Sequence, residues 1–277
     1  MRARKRFGQH FLEPAWVRKV VEAIAPTSED VFLEIGPGPG ALTYALAQTG
    51  AAVTAVELDR DLAARLARAV PSNVRVVQGD VLRVDLDALV RESLAARCAA
   101  GGRARVVGNL PYNISSPILV RLLRTVRDGT PLSDATLMLQ EEVAARVMAP
   151  PGGRDYGPLA ITVQFRADAQ RLLSLPPGAF RPVPRVRSAL VGLSFRPPRV
   201  EVTDEALFEG VVRGAFTQRR KTLANALRPV AAARGADAGV VLARAGLDGR
   251  RRPETLDLAE FARLAAAFAP AARTPVL

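Results

Sequence analysis

The stretch that decides the fold is residues 31–40, VFLEIGPGPG, in which a short apolar run ends in a turn rich in glycine and proline. Residues 41–48 then carry a helical pattern, and residues 52–56 form a second apolar, β-branched run. A strand, a tight glycine turn, a helix and another strand in this order are typical of a parallel α/β sheet. The turn also predicts a ligand site, because ligands can approach bare backbone at the N-terminus of such a helix.

The alternation continues beyond this unit. The sequence predicts strands at residues 74–77, 105–108 and 135–139, with helices at 61–70 and 117–126. Two later strands are expected at residues 159–165 and 188–195, joined by a segment rich in proline and arginine. The pattern favours a parallel sheet with right-handed crossovers over residues 1–198.

The pattern changes at Pro197-Pro198, and the remaining chain is helical in character. Apolar residues recur at helical spacing from Phe208 to Phe216 and from Phe261 to Phe268. Asp257 and Glu260 have the spacing of a capping box. We therefore expect a small, all-helical domain over residues 199–277.

The chain has 277 residues, 39 Lys and Arg against 27 Asp and Glu, and a net charge of +12. Residues 26–145 carry a net charge of −2, whereas residues 146–199 carry +7 and the two ends supply the remainder. A basic surface around a near-neutral core indicates a polyanionic partner such as nucleic acid.

Histidine and cysteine are almost absent, since His10 and Cys98 are the only ones. This excludes an internal disulfide and argues against a metal site or a catalytic triad, so no metal is expected. The sequence contains no 18-residue apolar run and no secretory leader, which predicts a soluble, cytoplasmic protein with no membrane partner.

The glycine turn is typical of sites for adenosine-containing ligands, and two details bear on which of these ligands it binds. Pro37 and Pro39 remove backbone N–H groups that a pyrophosphate would need. Glu34 adds negative charge beside Gly36 and Gly38, which suits a cationic ligand.

Carboxylates follow the next two strands. Glu57 comes 21 residues after Gly36, where it can accept both hydroxyls of a ribose. Asp80 can accept from an adenine amino group while Val81 covers the ring. Both features are compatible with either a dinucleotide or S-adenosylmethionine.

The fourth motif is Asn109-Leu110-Pro111-Tyr112, directly after the fourth predicted strand. The Asn109 amide oxygen and the Leu110 carbonyl could accept from an exocyclic amine, while Pro111 stiffens the loop. Tyr112 offers a ring on which a base can stack. An aromatic amine held in this way can turn its lone pair toward an electrophile without a titrating base.

These four motifs, in this order, resemble class I S-adenosylmethionine-dependent methyltransferases that act on adenine N6. Three further stretches narrow the resemblance: FGQHFL at residues 7–12, NLPYNISSP at 109–117 and FRPVPRVRS at 180–188. They look like the ribosomal RNA adenine dimethyltransferase family, and the resemblance extends to QRRKTL at residues 218–223. It implies a Rossmann-like α/β methyltransferase domain followed by the small helical domain.

The resemblance also implies roles for individual residues. The cofactor S-adenosyl-L-methionine would contact His10, Leu12, Gly36, Gly38, Glu57, Asp80, Val81 and Asn109. Residues 109–112 would hold the target amine, and Tyr112 and Phe180 would stack on the two faces of the base; a core position for Phe180 remains an alternative. RNA contacts are expected at Arg181, Arg185, Arg187, Arg219, Arg220 and Lys221.

The activity implied is dimethylation of two adjacent adenosines near the 3′ end of small-subunit rRNA, by a monomer acting on the small ribosomal particle. Two alternatives stay open: a large-subunit methyltransferase of the macrolide-resistance type, and an RNA-binding assembly factor on the same fold. Leu110 in the NLPY motif and the FGQHFL opening favour the small-subunit enzyme. A NAD-dependent oxidoreductase is a more distant third.

Overall fold

The computed structural model describes residues 10–95, 102–126 and 130–268. The basic residues of the N-terminal arm before His10, and the start of the FGQHFL motif, lie outside these ranges. The strands are β1 Phe11–Leu12, β2 Val31–Ile35, β3 Ala52–Glu57, β4 Val74–Gln78, β5 Ala104–Asn109, β6 Leu132–Gln140, β7 Ala167–Leu175, β8 Phe180–Arg181 and β9 Ser188–Phe195.

In the described ranges, seven helices alternate with or follow the strands of the sheet, and four lie near the end of the chain. The first group is α1 Pro14–Ile24, α2 Ala41–Ala47, α3 Arg60–Ala67, α4 Leu86–Ala95, α5 Ser115–Thr125, α6 Glu141–Met148 and α7 Pro158–Arg166. The second group is α8 Glu205–Phe216, α9 Leu223–Ala232, α10 Ala238–Ala245 and α11 Leu258–Ala267. Within these ranges no helix is long and apolar enough to span a bilayer.

Seven strands form one sheet in the order β4-β3-β2-β5-β6-β9-β7. The first five run parallel, which confirms the predicted α/β sheet. The remainder is antiparallel, because β9 lies between β6 and β7 and runs opposite to both. The order reverses at β2, whose neighbours are β3 and β5, so a crevice opens at the carboxyl ends of these strands.

One predicted strand is wrong. Residues 159–165 form helix α7, and the strand that follows is β7, which the sequence pattern did not predict. The side chains of Ala160, Ile161 and Val163 are all fully buried. The other residues of α7 are buried or half-buried, so the helix has no exposed polar face, and periodicity alone cannot distinguish it from a buried strand.

The domain prediction also needs correction in one segment. One compact unit contains the described residues up to Ala145 together with Arg166–Pro197, and the second contains Arg146–Phe165 and the described residues from Pro198 onward. Residues 146–165 therefore belong to the helical unit, not to the sheet domain. The reason is packing, since Tyr156, Ile161 and Phe165 share a core with Phe208 and Phe261.

The helical unit otherwise follows its sequence pattern. The stripe of α8 is buried as predicted, with Phe208, Val211 and Val212 each at most 2% exposed. The capping box of α11 is present, because Asp257 accepts from the Glu260 N–H and Glu260 accepts from the Asp257 N–H. These local signals fix where the helices begin.

A buried charge cluster lies in the first unit, near the amino ends of β2, β5 and β6. Arg105 on β5 binds Asp30 at 3.1 Å and Asp134 at 2.9 Å. Its guanidinium also donates to the carbonyl of Ile24 at the end of α1. Asp30 is only 1% exposed and also pairs with Arg103 at 3.1 Å, so its charge depends on two guanidinium groups.

Candidate active site

A cavity of about 330 Å³ opens at the carboxyl ends of β2, β3, β4 and β5. Nearly all of the predicted cofactor and catalytic residues line it: His10, Gly36, Gly38, Glu57, Asp80, Val81, Asn109, Leu110, Pro111 and Tyr112. The sheet therefore brings together residues from five separate segments of the chain.

The glycine turn between β2 and α2 forms one wall. Gly36, Gly38 and Gly40 have φ angles of 68°, 57° and 90°, a region that suits glycine. Each N–H is already used: Gly36 donates to Val56, Gly38 to the Glu57 carboxylate and Gly40 to Pro37. These three amides therefore cannot cradle a pyrophosphate, which weighs against a dinucleotide.

Glu57 ends β3 and faces both the turn and the cavity. Its Oε2 accepts from the Gly38 N–H at 2.9 Å, and its Oε1 accepts from the Asp59 N–H at 2.8 Å. Burial raises the pKa of this carboxyl, and the two backbone donors oppose that shift. Each oxygen keeps a second lone pair, so the carboxylate can still accept from ribose hydroxyls.

The turn after β4 carries the next acceptor. Asp80 Oδ1 accepts from the Leu82 N–H at 2.9 Å, which fixes the carboxylate beside the cavity. Arg121 on α5 donates to the carbonyls of Val81 and Val84 and so holds the turn from the opposite side. Sequence reasoning missed Arg121, because nothing at residue 121 marks it as a partner of a turn about forty positions earlier.

The NLPY loop follows β5. Asn109 Nδ2 donates to the His10 carbonyl at 2.6 Å, which leaves Oδ1 as the amide atom available to a ligand amine. The Leu110 N–H donates to Met138, and the Pro111 carbonyl accepts from the Ile114 N–H, so the loop is held as a turn. Two acceptors can thus be presented without a titrating group.

Tyr112 is held at both its hydroxyl and its ring. The hydroxyl lies 2.8 Å from Ser188 Oγ at the start of β9. The ring stacks on His10, with centroids 5.3 Å apart and planes inclined by 22°. A base that stacks on Tyr112 must therefore use the opposite face of the ring or replace the His10 imidazole.

The N-terminal arm is attached through a two-residue pairing of β1 with β8. His10 Nδ1 lies 2.7 Å from the Pro182 carbonyl. Phe11 lines the cavity and packs against Gly38, whereas Leu12 points into the core and is 8% exposed. The expectation for Leu12 is corrected accordingly, since neighbouring strand residues face opposite sides and it is Phe11 that faces the cavity.

Phe180 needs a similar correction. Its side chain is 0% exposed and belongs to a core cluster with Leu12, Phe32 and Leu190. It does not line the cavity, so the core alternative left open by the sequence is the one this structure supports.

Glu34 is also not where the sequence pattern places it. The residue is 2% exposed and does not line the cavity. Burial raises its pKa to about 7, and Oε2 has no hydrogen-bond partner in the part of the chain that the structure describes. Glu34 therefore does not present a full negative charge to a ligand at neutral pH.

The predicted RNA contacts are all exposed side chains, and they fall in different units. Arg181, Arg185 and Arg187 belong to the first unit, and Arg181 pairs with Glu13 at 3.3 Å. Arg219, Arg220 and Lys221 belong to the helical unit. Arg219 also donates to the Arg154 carbonyl, so part of its hydrogen-bonding capacity is already used.

The cavity also contains residues that sequence reasoning did not single out, notably Phe11, Leu58 and Ile114. Phe11 lies within a motif that was recognised, so strand alternation could have identified it. Leu58 is 44% exposed and directly follows Glu57.

Known proteins resemble this chain along almost its whole length. The family model for ribosomal RNA adenine dimethylase matches residues 1–264. The chain is 46% identical over 270 residues to "Ribosomal RNA small subunit methyltransferase A" of Pseudomonas fluorescens, covering 95% of this chain and 93% of that protein. It is 43% identical over 266 residues to the protein of the same name from Anaeromyxobacter sp. strain K, with 95% and 93% covered.

Solved structures share the fold. A dimethyladenosine transferase from Plasmodium falciparum superposes with a TM-score of 0.72 at 24% identity, covering 92% of this chain and 96% of that one. The 23S rRNA methyltransferase ErmE superposes with a TM-score of 0.62 at 24% identity, covering 93% and 99%. These two likenesses show the fold alone, whereas the family model spans almost the whole chain and the two relatives described above carry the same name. The chain belongs to the ribosomal RNA adenine dimethylase family.

Proposed function

We propose that this chain transfers methyl groups from S-adenosyl-L-methionine to the N6 atoms of two adjacent adenosines near the 3′ end of small-subunit rRNA. The single observation that carries the proposal is the NLPY loop in the same cavity as the glycine turn, with the Asn109 amide oriented by the His10 carbonyl. The names of the relatives support the small subunit over the large one. In this proposal the protein acts as a monomer in the cytoplasm, and its substrate is the small ribosomal particle.

The residues of the cavity fit the cofactor. Gly36 and Gly38 leave bare backbone where the amino-acid part would lie, Glu57 can accept from the ribose, and Asp80 with Val81 suits the adenine. The Gly36 and Gly38 N–H groups donate to partners within the protein, which is compatible with S-adenosylmethionine because this ligand has no pyrophosphate to bind. When bound, S-adenosylmethionine supplies an electrophilic methyl group.

The protein contributes positioning to the chemistry. Asn109 Oδ1 and the Leu110 carbonyl would accept from the target amine and orient its lone pair, while the Tyr112 ring would hold the plane of the base. Well-oriented groups can supply roughly 7–11 kcal/mol of a barrier. The base must leave its stack to reach the cavity, which costs a few kcal/mol.

The decisive experiment gives labelled S-adenosylmethionine and purified protein to small and large ribosomal subunits that lack the modification. We expect dimethyladenosine in small-subunit rRNA, located by mass spectrometry of RNA fragments. Label only in large-subunit RNA would establish the macrolide-resistance type of activity instead. No transfer to either subunit, with RNA binding retained, would favour an assembly factor.

The site is tested separately with Asn109→Ala. We expect at least a 100-fold loss of methyl transfer, by analogy with the removal of one transition-state hydrogen bond. RNA binding should be retained, because Asn109 acts on the target amine and not on the RNA phosphates. Normal transfer by this variant would show that Asn109 does not hold the amine.

The charge distribution gives a third test. RNA binding should fall steeply with salt, because each phosphate contact contributes a slope of about −0.7 to −0.9 in log K against log salt. Cofactor binding should depend on salt much less, since the cavity lies in the near-neutral part of the chain. Equal slopes for both ligands would contradict an RNA-binding role for the basic surface.

A further inference from the structure

The segment between β8 and β9, residues 182–187, combines exposed charge with exposed apolar surface; we call it the β8–β9 loop. Its sequence, PVPRVR, contains no acidic residue. Arg185 and Arg187 are exposed, and so are Val183 and Val186, at 53% and 42%. These two valines are half of the four large exposed hydrophobic residues among the described ranges.

Both ends of the β8–β9 loop are fastened to the cavity. At its start, the Pro182 carbonyl lies 2.7 Å from His10 Nδ1, and His10 lines the cavity. Directly after its end, Ser188 Oγ lies 2.8 Å from the hydroxyl of Tyr112, which also lines the cavity. The Arg187 carbonyl accepts from the Glu141 N–H at 3.0 Å. The loop therefore lies beside the cavity, fixed at both ends.

The loop is also stiff. Pro182 and Pro184 restrict the backbone φ angle, and Pro184 is buried beneath the exposed residues. A single exposed valine needs no explanation in a folded protein. Here two exposed valines alternate with arginines on a stiff loop that is fixed beside the cavity. Together they form a surface that suits a partner with both phosphates and exposed ring faces.

We propose that the β8–β9 loop enters the RNA beside the target adenosines, with Val183 and Val186 filling the space in the base stack that a target base vacates. Arg185 and Arg187 would bind the neighbouring phosphates. This inference rests on the proposed function, because it requires an adenosine that leaves its stack.

The vacancy that an extruded base leaves in the stack has a free-energy cost. An extruded base leaves ring faces exposed on its neighbours, and the stack tends to close again, which returns the base. Apolar side chains inserted between base steps stabilise such openings in other nucleic-acid complexes. Arginine contacts to phosphate fix the register of the strand without reading its sequence. Both side-chain types are exposed on one six-residue segment here.

The apolar part is tested with V183S/V186S and a matched control, V240S. Val240 is 50% exposed but lies in the helical unit. The measurement is the single-turnover rate of methyl transfer at saturating small-subunit RNA. We expect V183S/V186S to be at least ~10-fold slower than wild type, since about 1.4 kcal/mol of stack stabilisation corresponds to tenfold, and V240S to equal wild type.

The same variants are then given an RNA in which the nucleotides flanking the two adenosines are abasic. No stack remains to be filled in this substrate, so we expect V183S/V186S and wild type to transfer at the same rate. Equal loss on both substrates would mean that the valines only support the loop and would overturn the proposal. Wild-type rates on the intact RNA would overturn it as well.

The charged part is tested with R185Q/R187Q against R68Q, an exposed arginine that follows α3. We expect weaker RNA binding and a salt slope that is smaller in magnitude by about 2, with the saturating rate little changed. An unchanged slope would refute the phosphate contacts. Cofactor affinity and melting temperature should match wild type in every variant, and V183T/V186T replaces the serine pair if that pair does not fold.

Failure of the inference and failure of the proposed function are distinguishable. If wild-type protein transfers no methyl group to small-subunit RNA, the proposed function fails before any loop variant is compared. If wild type is active and V183S/V186S equals it on intact RNA, only the role of the loop fails.

Discussion

Gly38→Ala is a direct test of how the glycine turn shapes the cofactor site. Gly38 has a φ angle of 57°, where an added Cβ costs roughly 1–2 kcal/mol. That Cβ would also lie 3.0 Å from Cε1 of Phe11, which lines the cavity. Carbon atoms pack best at about 3.5–4.0 Å, so the ring must move by about half an ångström or more.

Gly235→Ala is the matched control. Gly235 has a φ angle of 63°, and an added Cβ there would meet nothing within 4 Å. Both variants therefore carry the same backbone penalty, and only Gly38→Ala adds displacement of a cavity wall. At about 2–4 °C per kcal/mol, the backbone term alone lowers the melting temperature by about 2–8 °C in either variant.

The assay is calorimetric titration with S-adenosylmethionine, together with thermal unfolding. We expect Gly38→Ala to raise the cofactor Kd at least tenfold, equivalent to about 1.4 kcal/mol, and Gly235→Ala to leave it unchanged. A wild-type Kd for Gly38→Ala would refute the reasoning that Phe11 and the turn together form the cofactor wall.

Three further predictions follow from buried groups. The pKa of Glu34 is raised to about 7, so its neutral form stabilises the fold at low pH and this contribution is lost as the pH rises through 7. The melting temperature of Glu34→Gln should therefore fall less between pH 5 and 8 than that of wild type. Melting temperatures that change with pH by the same amount in the two proteins would contradict this. Arg105→Ala removes the ion pair with Asp134 and leaves Asp30 paired with Arg103 alone, so it should cost about 3–5 kcal/mol in unfolding free energy, against at most about 1 kcal/mol for Arg75→Ala, whose ion pair is exposed. Tyr112→Phe should keep most methyl transfer, because stacking needs the ring and not the hydroxyl that is hydrogen-bonded to Ser188. Tyr112→Ala should lose methyl transfer, and equal losses in the two variants would refute the stacking role.

Much of the architecture could be predicted from contiguous residues. Runs such as VFLEI at residues 31–35 identify a buried strand, and the glycine turn after it predicts both the helix and the ligand site. The capping box at Asp257 and the stripe of α8 could be predicted in the same way. Helix α7 could not, since each of its residues is buried or half-buried and no exposed polar face reveals the helical period.

Part of the candidate site could likewise be predicted from the sequence. Glu57, Asp80 and the NLPY loop follow predicted strands, and the carboxyl ends of parallel strands meet at one edge, so their convergence was predictable. The shortage of histidine and cysteine likewise narrows the chemistry, because composition alone argues against a metal site or a catalytic triad.

Only the tertiary structure decided which neighbours these residues have. It buried Phe180 and Leu12 in the core, faced Phe11 toward the cavity, and brought Arg121 and Ser188 onto the turn and the tyrosine. The physical reason is that these contacts join residues that are far apart in the chain and meet only when the sheet forms and β1 pairs with β8. A local pattern reports which face a residue prefers, whereas the partner on that face is fixed by packing alone.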